Sequence, residues 1–266
     1  MLLCRLLFRK FEYKLFGPLG GIDFSLNLPA GFNPDYDRCP LIILMHGFMA
    51  NRKLRPVSYL SKAFSEAGYA VLSFDFEAHG RSAGRFIDMT VSNEVADARA
   101  VFEYARSLPY VSSIGFLGHS QGGVVAGMLA GMLEDEGMRP DYLIQLAPAA
   151  VLKDDAIEGH CMMSKYDPLN PPEYVNVFFH KLGRKFILEA QKLPIIETSS
   201  KYGGPVCIIH GTNDKIVPVK YGQLYKDAYK NASLHLIEGE DHFLKTQRRE
   251  ITSIVLAFAG RSVPLR

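Results

Sequence analysis

A serine flanked by glycines, in the segment GHSQGG at residues 118–123, is the strongest chemical signal in this 266-residue sequence. The segment matches the pattern GxSxG, and it follows an apolar run and precedes a helical pattern. Glycines on both sides let the backbone make a sharp turn that lifts the serine hydroxyl off the end of a strand. The pattern therefore predicts that Ser120 is the nucleophile of an acyl-transfer reaction.

A serine hydroxyl needs a base to take its proton and an acid to orient that base. His242, in GEDHF just past the last apolar run, is the best candidate base, because GxSxG serines are followed first by the acid and then by the histidine. Asp214, in HGTND after the preceding run, is the expected acid. Asp241 is its nearest rival, but an aspartate next to the histidine in sequence is badly placed to accept the Nδ1 proton.

During acyl transfer the carbonyl oxygen of the substrate becomes negatively charged, and hydrogen-bond donors must stabilise it. One donor is expected from the amide that follows the nucleophile, which is that of Gln121, and the other from a loop after an early strand. The segment His46-Gly47-Phe48 ends such a strand, and Gly47 would let the chain turn the Phe48 amide toward Ser120. The predicted oxyanion hole is therefore made of the backbone of Phe48 and Gln121.

The elements that must position these residues alternate along the chain. Apolar runs without alternation predict strands buried on both faces, and they cover residues 41–46, 69–75, 113–119, 142–148, 205–211 and 234–239. Helical spacing of apolar residues separates most of them, at Val57–Ala67, Val91–Ser107, Gln121–Leu133, Val219–Tyr229 and Arg248–Phe258. The alternation predicts an α/β fold with a mostly parallel central sheet flanked by helices. Near the N-terminus, FEYKLF and IDFSLNLP, separated by GPLGG, predict an antiparallel hairpin at the sheet edge.

One interval interrupts the alternation, from residue 149 to residue 200. It carries PLNPPEY, several aromatic residues and a helical pattern over His180–Lys192, so it predicts an inserted cap subdomain. The core would then consist of residues 1–148 and 201–266. An insertion after the carboxyl end of a strand would overhang the site.

Composition narrows the function classes. Residues of hydrophobic type make up 48% of the chain, enough for one large core. The net charge is only +2, so the chain lacks the excess of positive charge that is typical of proteins that bind nucleic acid or membrane surfaces. The expected partner is therefore a small-molecule ester, with no nucleic acid and no membrane. The sequence leaves a homodimer open.

Acyl transfer by these residues requires neither a metal nor a cofactor, so none is expected. GHSQGG lacks both GxGxxG and GK[ST], the patterns of dinucleotide and phosphate sites. The cysteines are scattered without CxxC spacing, which indicates reduced thiols and a reducing compartment; they are Cys4, Cys39, Cys161 and Cys207. The lack of a signal-peptide pattern predicts a cytoplasmic location. The apolar stretch within residues 1–10 is too short and too interrupted for a signal peptide or membrane span, and a weak targeting role for it stays open.

Several longer segments resemble the bacterial cinnamoyl (feruloyl) esterases of the α/β-hydrolase superfamily. They are HGFMANR, SFDFEAHGRSAG, GHSQGGVVAGMLAG, LAPAAVLKDDAIEG, IHGTND and LIEGEDHF. The resemblance runs from about Cys39 to Ala259. GxSxG and HG are shared by much of the superfamily, whereas LAPAAVLKDDAIEG and the long insertion are specific to this family.

The resemblance implies hydrolysis of esters of ferulic, p-coumaric or caffeic acid, with the insertion covering the acyl ring. Polar residues of the insertion bind the ring hydroxyl in such relatives, and the matching aspartate here is Asp155. At Met162 and Phe186, relatives can carry Gln and Tyr, so two hydrogen-bonding groups are missing. An apolar pocket discriminates weakly, so we expect this chain to depend less on the ring hydroxyl.

Alternative interpretations stay open at the sequence level. The same three residues could serve a general carboxylesterase, a thioesterase with a less polar acyl pocket, or a peptidase. A non-catalytic binding protein is the third interpretation, although such relatives typically lose these residues. Asp155 could also be a solvated charge, and Met162 and Phe186 could simply pack inside the insertion.

Overall fold

The computed structural model describes residues 15–263. Its strands are β1 Leu15–Gly17, β2 Gly20–Ile22, β3 Phe24–Asn27, β4 Cys39–Met45, β5 Ala70–Phe74, β6 Val111–His119, β7 Tyr142–Leu146, β8 His160–Cys161, β9 Ser164–Lys165, β10 Tyr174–Val177, β11 His180–Gly183, β12 Val206–Gly211 and β13 Ala232–Ile237. Its α-helices are α1 Val57–Glu66, α2 Val91–Ser107, α3 Gln121–Asp135, α4 Val151–Glu158, α5 Arg184–Ala190, α6 Ile195–Ser199, α7 Lys220–Ala228 and α8 Arg248–Ser262, and Phe86–Asp88 form a 3₁₀ turn.

Seven strands form the central sheet, in the order β13-β12-β7-β6-β4-β5-β3. Every neighbouring pair is parallel except β3 with β5, which is antiparallel. The sheet is flanked by helices and thus confirms the predicted α/β-hydrolase fold. The strand β6 lies at the centre of the sheet, so its carboxyl end opens onto the middle of one sheet edge.

Strand β4 shows why the apolar runs lack alternation. Leu41, Ile43 and Met45 pack into the core on one face of the sheet, and Ile42 and Leu44 pack into the core on the other face. All five side chains are fully buried. A strand covered by helices on both faces needs apolar residues at every position, which is what the run LIILM supplies.

The N-terminal hairpin is shorter than predicted. β1 and β2 pair around the turn in GPLGG, but they form a separate two-stranded sheet. The continuation of the second run becomes β3, which joins the main sheet at its edge beside β5. Residues 11–14 of the predicted hairpin, the N-terminal residues 1–10 and Cys4 lie outside the described residues.

The interval 149–200 contains α4, two small antiparallel hairpins, α5 and α6. The predicted helix over His180–Lys192 is wrong at its beginning, because residues 180–183 form β11 and pair with β10. Gly183 has an extended backbone, with φ −76° and ψ 153°, and the helix begins after it at Arg184. The pairing with β10 therefore overrides the helical spacing of Leu182, Phe186 and Ile187.

Two further findings concern residues 15–263. None of their helices combines the length and apolarity that a membrane span requires. The three cysteines in this part of the chain, Cys39, Cys161 and Cys207, are all free thiols.

Candidate active site

Ser120 occupies the sharp turn between β6 and α3. Its backbone has φ 57° and ψ −124°, a conformation that residues other than glycine rarely adopt. The neighbouring glycines make the turn possible, because a Cβ on Gly118 would lie 2.1 Å from the carbonyl oxygen of Gly122. A Cβ on Gly122 would lie 2.3 Å from the carbonyl oxygen of His46. Only glycine fits at these two close approaches.

Three predicted residues meet at this turn. His242 Nε2 lies 2.9 Å from Ser120 Oγ, and His242 Nδ1 lies 2.7 Å from Asp214 Oδ2. A carboxylate can only accept, so Nδ1 carries the proton and Nε2 is free to accept the serine proton. All three residues are buried, at 5–7% exposure. The rival Asp241 instead forms an ion pair with Lys245 and accepts a hydrogen bond from the Phe243 amide.

Asp214 is held as a carboxylate by its neighbours. Burial alone would raise its pKa, but hydrogen bonds from His210 and His242 lower the pKa well below the ordinary value of an aspartic acid. The other oxygen, Oδ1, accepts hydrogen bonds from the amides of Ile216 and Val217, at 2.9 and 2.8 Å. His210 was not identified from the sequence, since it is buried at the end of β12 without a motif of its own.

His119, which precedes Ser120, is hydrogen-bonded to the loop that carries His242. Its Nε2–H donates to the carbonyl oxygen of His242 at 2.8 Å, and the two rings lie 4.9 Å apart. Burial, followed by the proximity of His242, lowers the pKa of His119 to about 3. The imidazole of His119 is therefore neutral at physiological pH and acts as a structural donor.

The predicted oxyanion donors, Phe48 and Gln121, line the same cleft as Ser120. Within residues 15–263, neither backbone amide donates to a protein acceptor, so both are free to bind an incoming oxygen. Gly47 brings the Phe48 loop close, because a Cβ there would lie 2.9 Å from Ser120 Cβ.

Buried polar residues that sequence reasoning missed hold this loop in place. His79 Nε2 accepts a hydrogen bond from the Met49 amide, and Asp75 binds both the amide and the guanidinium of Arg52. His46 Nε2 accepts from the Phe76 amide while its Nδ1 donates to Gly47. The segment SFDFEAHGRSAG supplies Asp75, Phe76 and His79, so it holds the loop of the predicted donor Phe48. This role was not apparent from its pattern alone.

A buried acidic cluster lies behind Gln121. The Gln121 side chain donates to Glu94 at 2.7 Å, and Asp97 accepts a hydrogen bond from the Glu77 amide. Burial raises the pKa of Glu94 well above its ordinary value, and it raises the pKa values of Glu77 and Asp97 to about 7 each. These acids are therefore protonated over much of the range in which exposed carboxyls are charged.

The cleft beside Ser120 also brings together the three predicted substrate-binding residues, Asp155, Met162 and Phe186. Most of its wall is apolar and includes Val151, Leu152, Ile216 and Val217. Phe186 is buried, with its ring 6.0 Å from that of Phe48, whereas Met162 is 40% exposed at the rim.

Two polar residues that were not identified from the sequence, His160 and Tyr166, lie near Asp155. His160 Nε2 lies 3.6 Å from Asp155 Oδ1, and Tyr166, which donates its hydroxyl proton to the His160 carbonyl, lines the same cleft. Burial raises the pKa of Asp155, and the nearby His160 opposes that rise. The cleft therefore offers an apolar slot with a small polar group at one part of its wall.

Comparison with known families places this geometry in context. The model of the family described as "Serine aminopeptidase, S33" matches residues 37–169, and that of the family described as "Serine hydrolase (FSH1)" matches residues 107–254. Together these matches include the segments that carry Ser120, Asp214 and His242. Each covers half of the chain or more.

Several individual proteins are similar to this chain, and two of those described here are named as lipases. Human "Protein ABHD12B" is 28% identical over 199 residues, 73% of this chain and 52% of that protein. The lysophosphatidylserine lipase ABHD12 of Danio rerio is 28% identical over 74% of this chain and 49% of its own length. This chain thus spans about half the length of these vertebrate relatives. The monoacylglycerol lipase of Mycolicibacterium smegmatis is 23% identical and is matched over 85% of its length and 83% of this chain.

Among solved structures, Est1E from Butyrivibrio proteoclasticus with bound ferulic acid is 30% identical to this chain. The superposition has a TM-score of 0.86 and covers 92% of this chain and 96% of Est1E. The similarity therefore extends over both the central sheet and the interval 149–200.

Proposed function

This chain belongs to the serine hydrolases of the α/β-hydrolase fold, and from that premise we propose that it hydrolyses carboxylic esters with Ser120 as the nucleophile. The observation that carries the proposal is the hydrogen-bonded series from Asp214 through His242 to Ser120. It lies beside an apolar cleft and two free amides, which are the parts that acyl transfer needs.

In the first half of the proposed reaction, His242 Nε2 takes the proton of Ser120 as Oγ attacks the ester carbonyl. The bond between Oγ and the carbonyl carbon forms, and the carbonyl electron pair moves onto the oxygen. The amides of Phe48 and Gln121 bind that oxyanion, while the Asp214 carboxylate stabilises the imidazolium form of His242. His242 then gives the proton to the departing alcohol, and the acyl group stays on Ser120.

In the second half, water replaces the alcohol. His242 takes a proton from the water as it attacks the acyl-enzyme, and the same two amides bind the second oxyanion. The proton passes to Ser120 Oγ as the carboxylic acid leaves. His242 takes up and releases the proton in each of the two halves, so no proton acceptor or donor is needed beyond His242, Ser120, water and the departing alcohol.

We further propose that the acyl group is a hydroxycinnamate, such as feruloyl, p-coumaroyl or caffeoyl. The bound ferulic acid in Est1E supports this proposal, as does the apolar slot with Asp155 and His160 in its wall. A planar aromatic acid would fill the apolar part, and Asp155 would accept a hydrogen bond from the ring hydroxyl. Because Met162 and Phe186 offer no hydrogen bond, we expect ferulate and unsubstituted cinnamate esters to be hydrolysed within about tenfold of each other.

The second candidate is a carboxylesterase for aliphatic acyl groups. The lipases among the relatives and the predominance of apolar side chains in the cleft favour it. A thioesterase or peptidase would use the same chemistry, so the leaving group must be tested separately. A purely binding role is disfavoured, because the nucleophile, base and acid are all present in hydrogen-bonded contact.

Covalent labelling tests the proposed nucleophile. A fluorophosphonate probe should label the wild-type chain at Ser120 and should leave the Ser120→Ala variant unlabelled. Labelling at another serine, or equal labelling of the variant, would refute the assignment of Ser120.

A substrate panel tests the acyl group. Methyl ferulate, p-coumarate, caffeate and cinnamate should be compared with a short alkyl ester, an aryl thioester and an aminoacyl amide. Preference for the four aromatic esters supports the hydroxycinnamate proposal, and preference for the alkyl ester supports the second candidate. Hydrolysis of ferulate more than about a hundredfold faster than cinnamate would contradict the expected tolerance of a missing hydroxyl.

A further inference from the structure

The loop between β13 and α8 carries His242, and it is folded around one buried carboxylate. Glu240, which lies two residues before His242, is fully buried. Its two carboxylate oxygens accept five hydrogen bonds, all from residues 241–247. The donors are the amides of Asp241, Lys245, Thr246 and Gln247 and the hydroxyl of Thr246, at 2.6–3.2 Å. The loop therefore wraps around the Glu240 side chain.

The charge of this carboxylate restricts the path of the loop. Burial alone would raise the pKa of Glu240, but the hydrogen bonds, first of all the one from the Gln247 amide, lower the pKa below its ordinary value. The group is therefore charged at neutral pH. A buried charge is costly unless its oxygens are hydrogen-bonded. Because the donors are spread over residues 241–247, a different path of the loop would leave some of those oxygens unpaired.

The hydrogen bonds of Glu240 serve the loop more directly than they serve α8. The helix begins at Arg248, and all five donors precede it. The contact with Gln247, the N-cap residue of α8, closes a ring of residues 240–247 with His242 inside it. The negative charge also lies beside the N-terminus of α8, so a purely structural role would be to stabilise that helix. The two roles differ in what they predict for the position of His242.

The backbone of Glu240 joins the loop of His242 to the loop of Asp214. Its carbonyl oxygen accepts a hydrogen bond from the Asn213 amide at 3.0 Å. A Cβ on Gly211 would lie 2.3 Å from the same oxygen, so the two loops are in close backbone contact at this point. Glu240 thus holds the loop of His242 through its side chain and the loop of Asp214 through its backbone.

We propose that Glu240 is a positioning residue for His242, because its carboxylate fixes the loop that places Nε2 beside Ser120 Oγ. The proposal rests on the proposed ester hydrolysis, in which His242 is the base. A displacement of a catalytic group by about 1 Å can lower a rate by about 100-fold. Loss of the Glu240 carboxylate should therefore lower kcat. KM should change little, because the cleft that would bind the acyl group is lined by other segments.

Proton NMR tests the position of His242 without a substrate. The Nδ1 proton, held between a buried imidazole and a carboxylate, should resonate at lower field than the backbone amides, and it is assigned by its absence from a His242→Gln variant. This resonance should be present in the wild-type chain and in Asp141→Ala, and it should be lost from Glu240→Ala. Asp141 is the matched control, because its carboxylate accepts a backbone hydrogen bond from Ile114, at 2.7 Å, near the far end of β6. Retention of the resonance in Glu240→Ala would overturn the proposal, as would its loss from Asp141→Ala.

Steady-state hydrolysis of a soluble ester gives the kinetic test, with rates expressed per folded chain and the folded fraction measured by circular dichroism. Glu240→Ala should lower kcat by about 100-fold and Glu240→Gln by about tenfold, because glutamine keeps one acceptor oxygen. KM should stay within about twofold of wild type in both variants.

A wild-type kcat in folded Glu240→Ala would overturn the proposal and would leave Glu240 only the structural role at α8. Should Glu240→Ala not fold, Glu240→Gln decides in the same way, by a lowered kcat or by one equal to that of wild type. If the wild-type chain hydrolyses no ester while the resonance is lost only from Glu240→Ala, the proposed function fails and the positioning of His242 by Glu240 is supported.

Discussion

The proposed catalytic centre and the interval 149–200 hold their side chains in opposite ways. Ser120, Asp214 and His242 are buried on short loops after three strands of one sheet, and each makes at least one hydrogen bond to another member of the set. In the interval, Asp155 is partly exposed and Met162 and Phe178 stand on strained turns. Close backbone packing thus fixes the centre, whereas part of the interval's cleft wall stands on exposed turns.

The largest expected effect lies within the centre. Asp214→Asn should lower kcat by about 10⁴-fold, because an amide no longer holds His242 with its proton on Nδ1 or stabilises the imidazolium. Steady-state hydrolysis of a soluble ester measures this. Asp241→Asn is the control and should change kcat little, because Asp241 pairs with Lys245 outside the hydrogen-bonded series. Equal losses in the two variants would contradict the assignment of the acid.

Close packing at the nucleophile turn should matter next. Gly118→Ala places a methyl group 2.1 Å from the Gly122 carbonyl oxygen, so we expect a loss of about 3 kcal/mol in the free energy of unfolding and about 100-fold in kcat. Denaturant unfolding and ester hydrolysis check the two effects. Gly260→Ala, in α8 with no atom within 4 Å of the added Cβ, should instead stabilise the chain by up to about 1 kcal/mol. A Gly118→Ala variant as stable and active as wild type would show that the turn is not tightly constrained.

A single polar contact in the interval should have a smaller effect. Asp155→Asn should lower kcat/KM for a p-coumarate ester by about tenfold and leave cinnamate unchanged, because only the former has a ring hydroxyl to bind. Asp154→Asn is the control, since Asp154 accepts a hydrogen bond from the Tyr221 hydroxyl instead of lining the cleft. Equal loss on both esters would indicate that Asp155 supports the fold of the interval and does not contact the substrate.

The smallest expected effect concerns pH and the buried acids behind Gln121. Folding raises the pKa values of Glu77 and Asp97 to about 7, so unfolding releases their protons between about pH 4 and pH 7. Their contribution to stability is complete below that window and is lost as pH rises through it. Asp97→Asn removes one such proton and should lessen the fall in Tm between pH 5 and pH 8 by about 3 °C, measured by thermal unfolding. Asp227→Asn is the control, because Asp227 is exposed, and it should leave the fall in Tm between pH 5 and pH 8 unchanged. An unchanged fall in Tm in Asp97→Asn would contradict the raised pKa of Asp97.

Most of the sheet could be predicted from the sequence because its strands are buried on both faces. The apolar runs and the helical spacings place the six parallel strands and α1, α2, α3, α7 and α8 within a few residues of their observed bounds. The GxSxG turn and the order of Ser120, Asp214 and His242 also sufficed to select residues that meet in space. The local spacing of apolar residues was informative there because these strands and helices pack in regular layers.

The interval 149–200 could not be predicted at the same level. Its strands have two to four residues, too short for an alternating pattern, and β11 forms because β10 is available to pair with it. His160 and Tyr166 reach the cleft only through that local folding. The same holds for His79, Asp75 and Glu94 in the core, whose roles depend on partners at least 20 residues away in sequence.

The hydrogen bond from His119 to the carbonyl of His242 has a consequence for local unfolding. It joins the end of the central strand to the loop that carries the base, and the low pKa of His119 keeps this donor neutral down to about pH 3. We therefore expect the loop of His242 to open in the same cooperative unit as β6, the strand that leads to Ser120. The position of His242 and the protection of the β6 amides from hydrogen exchange should therefore be lost together.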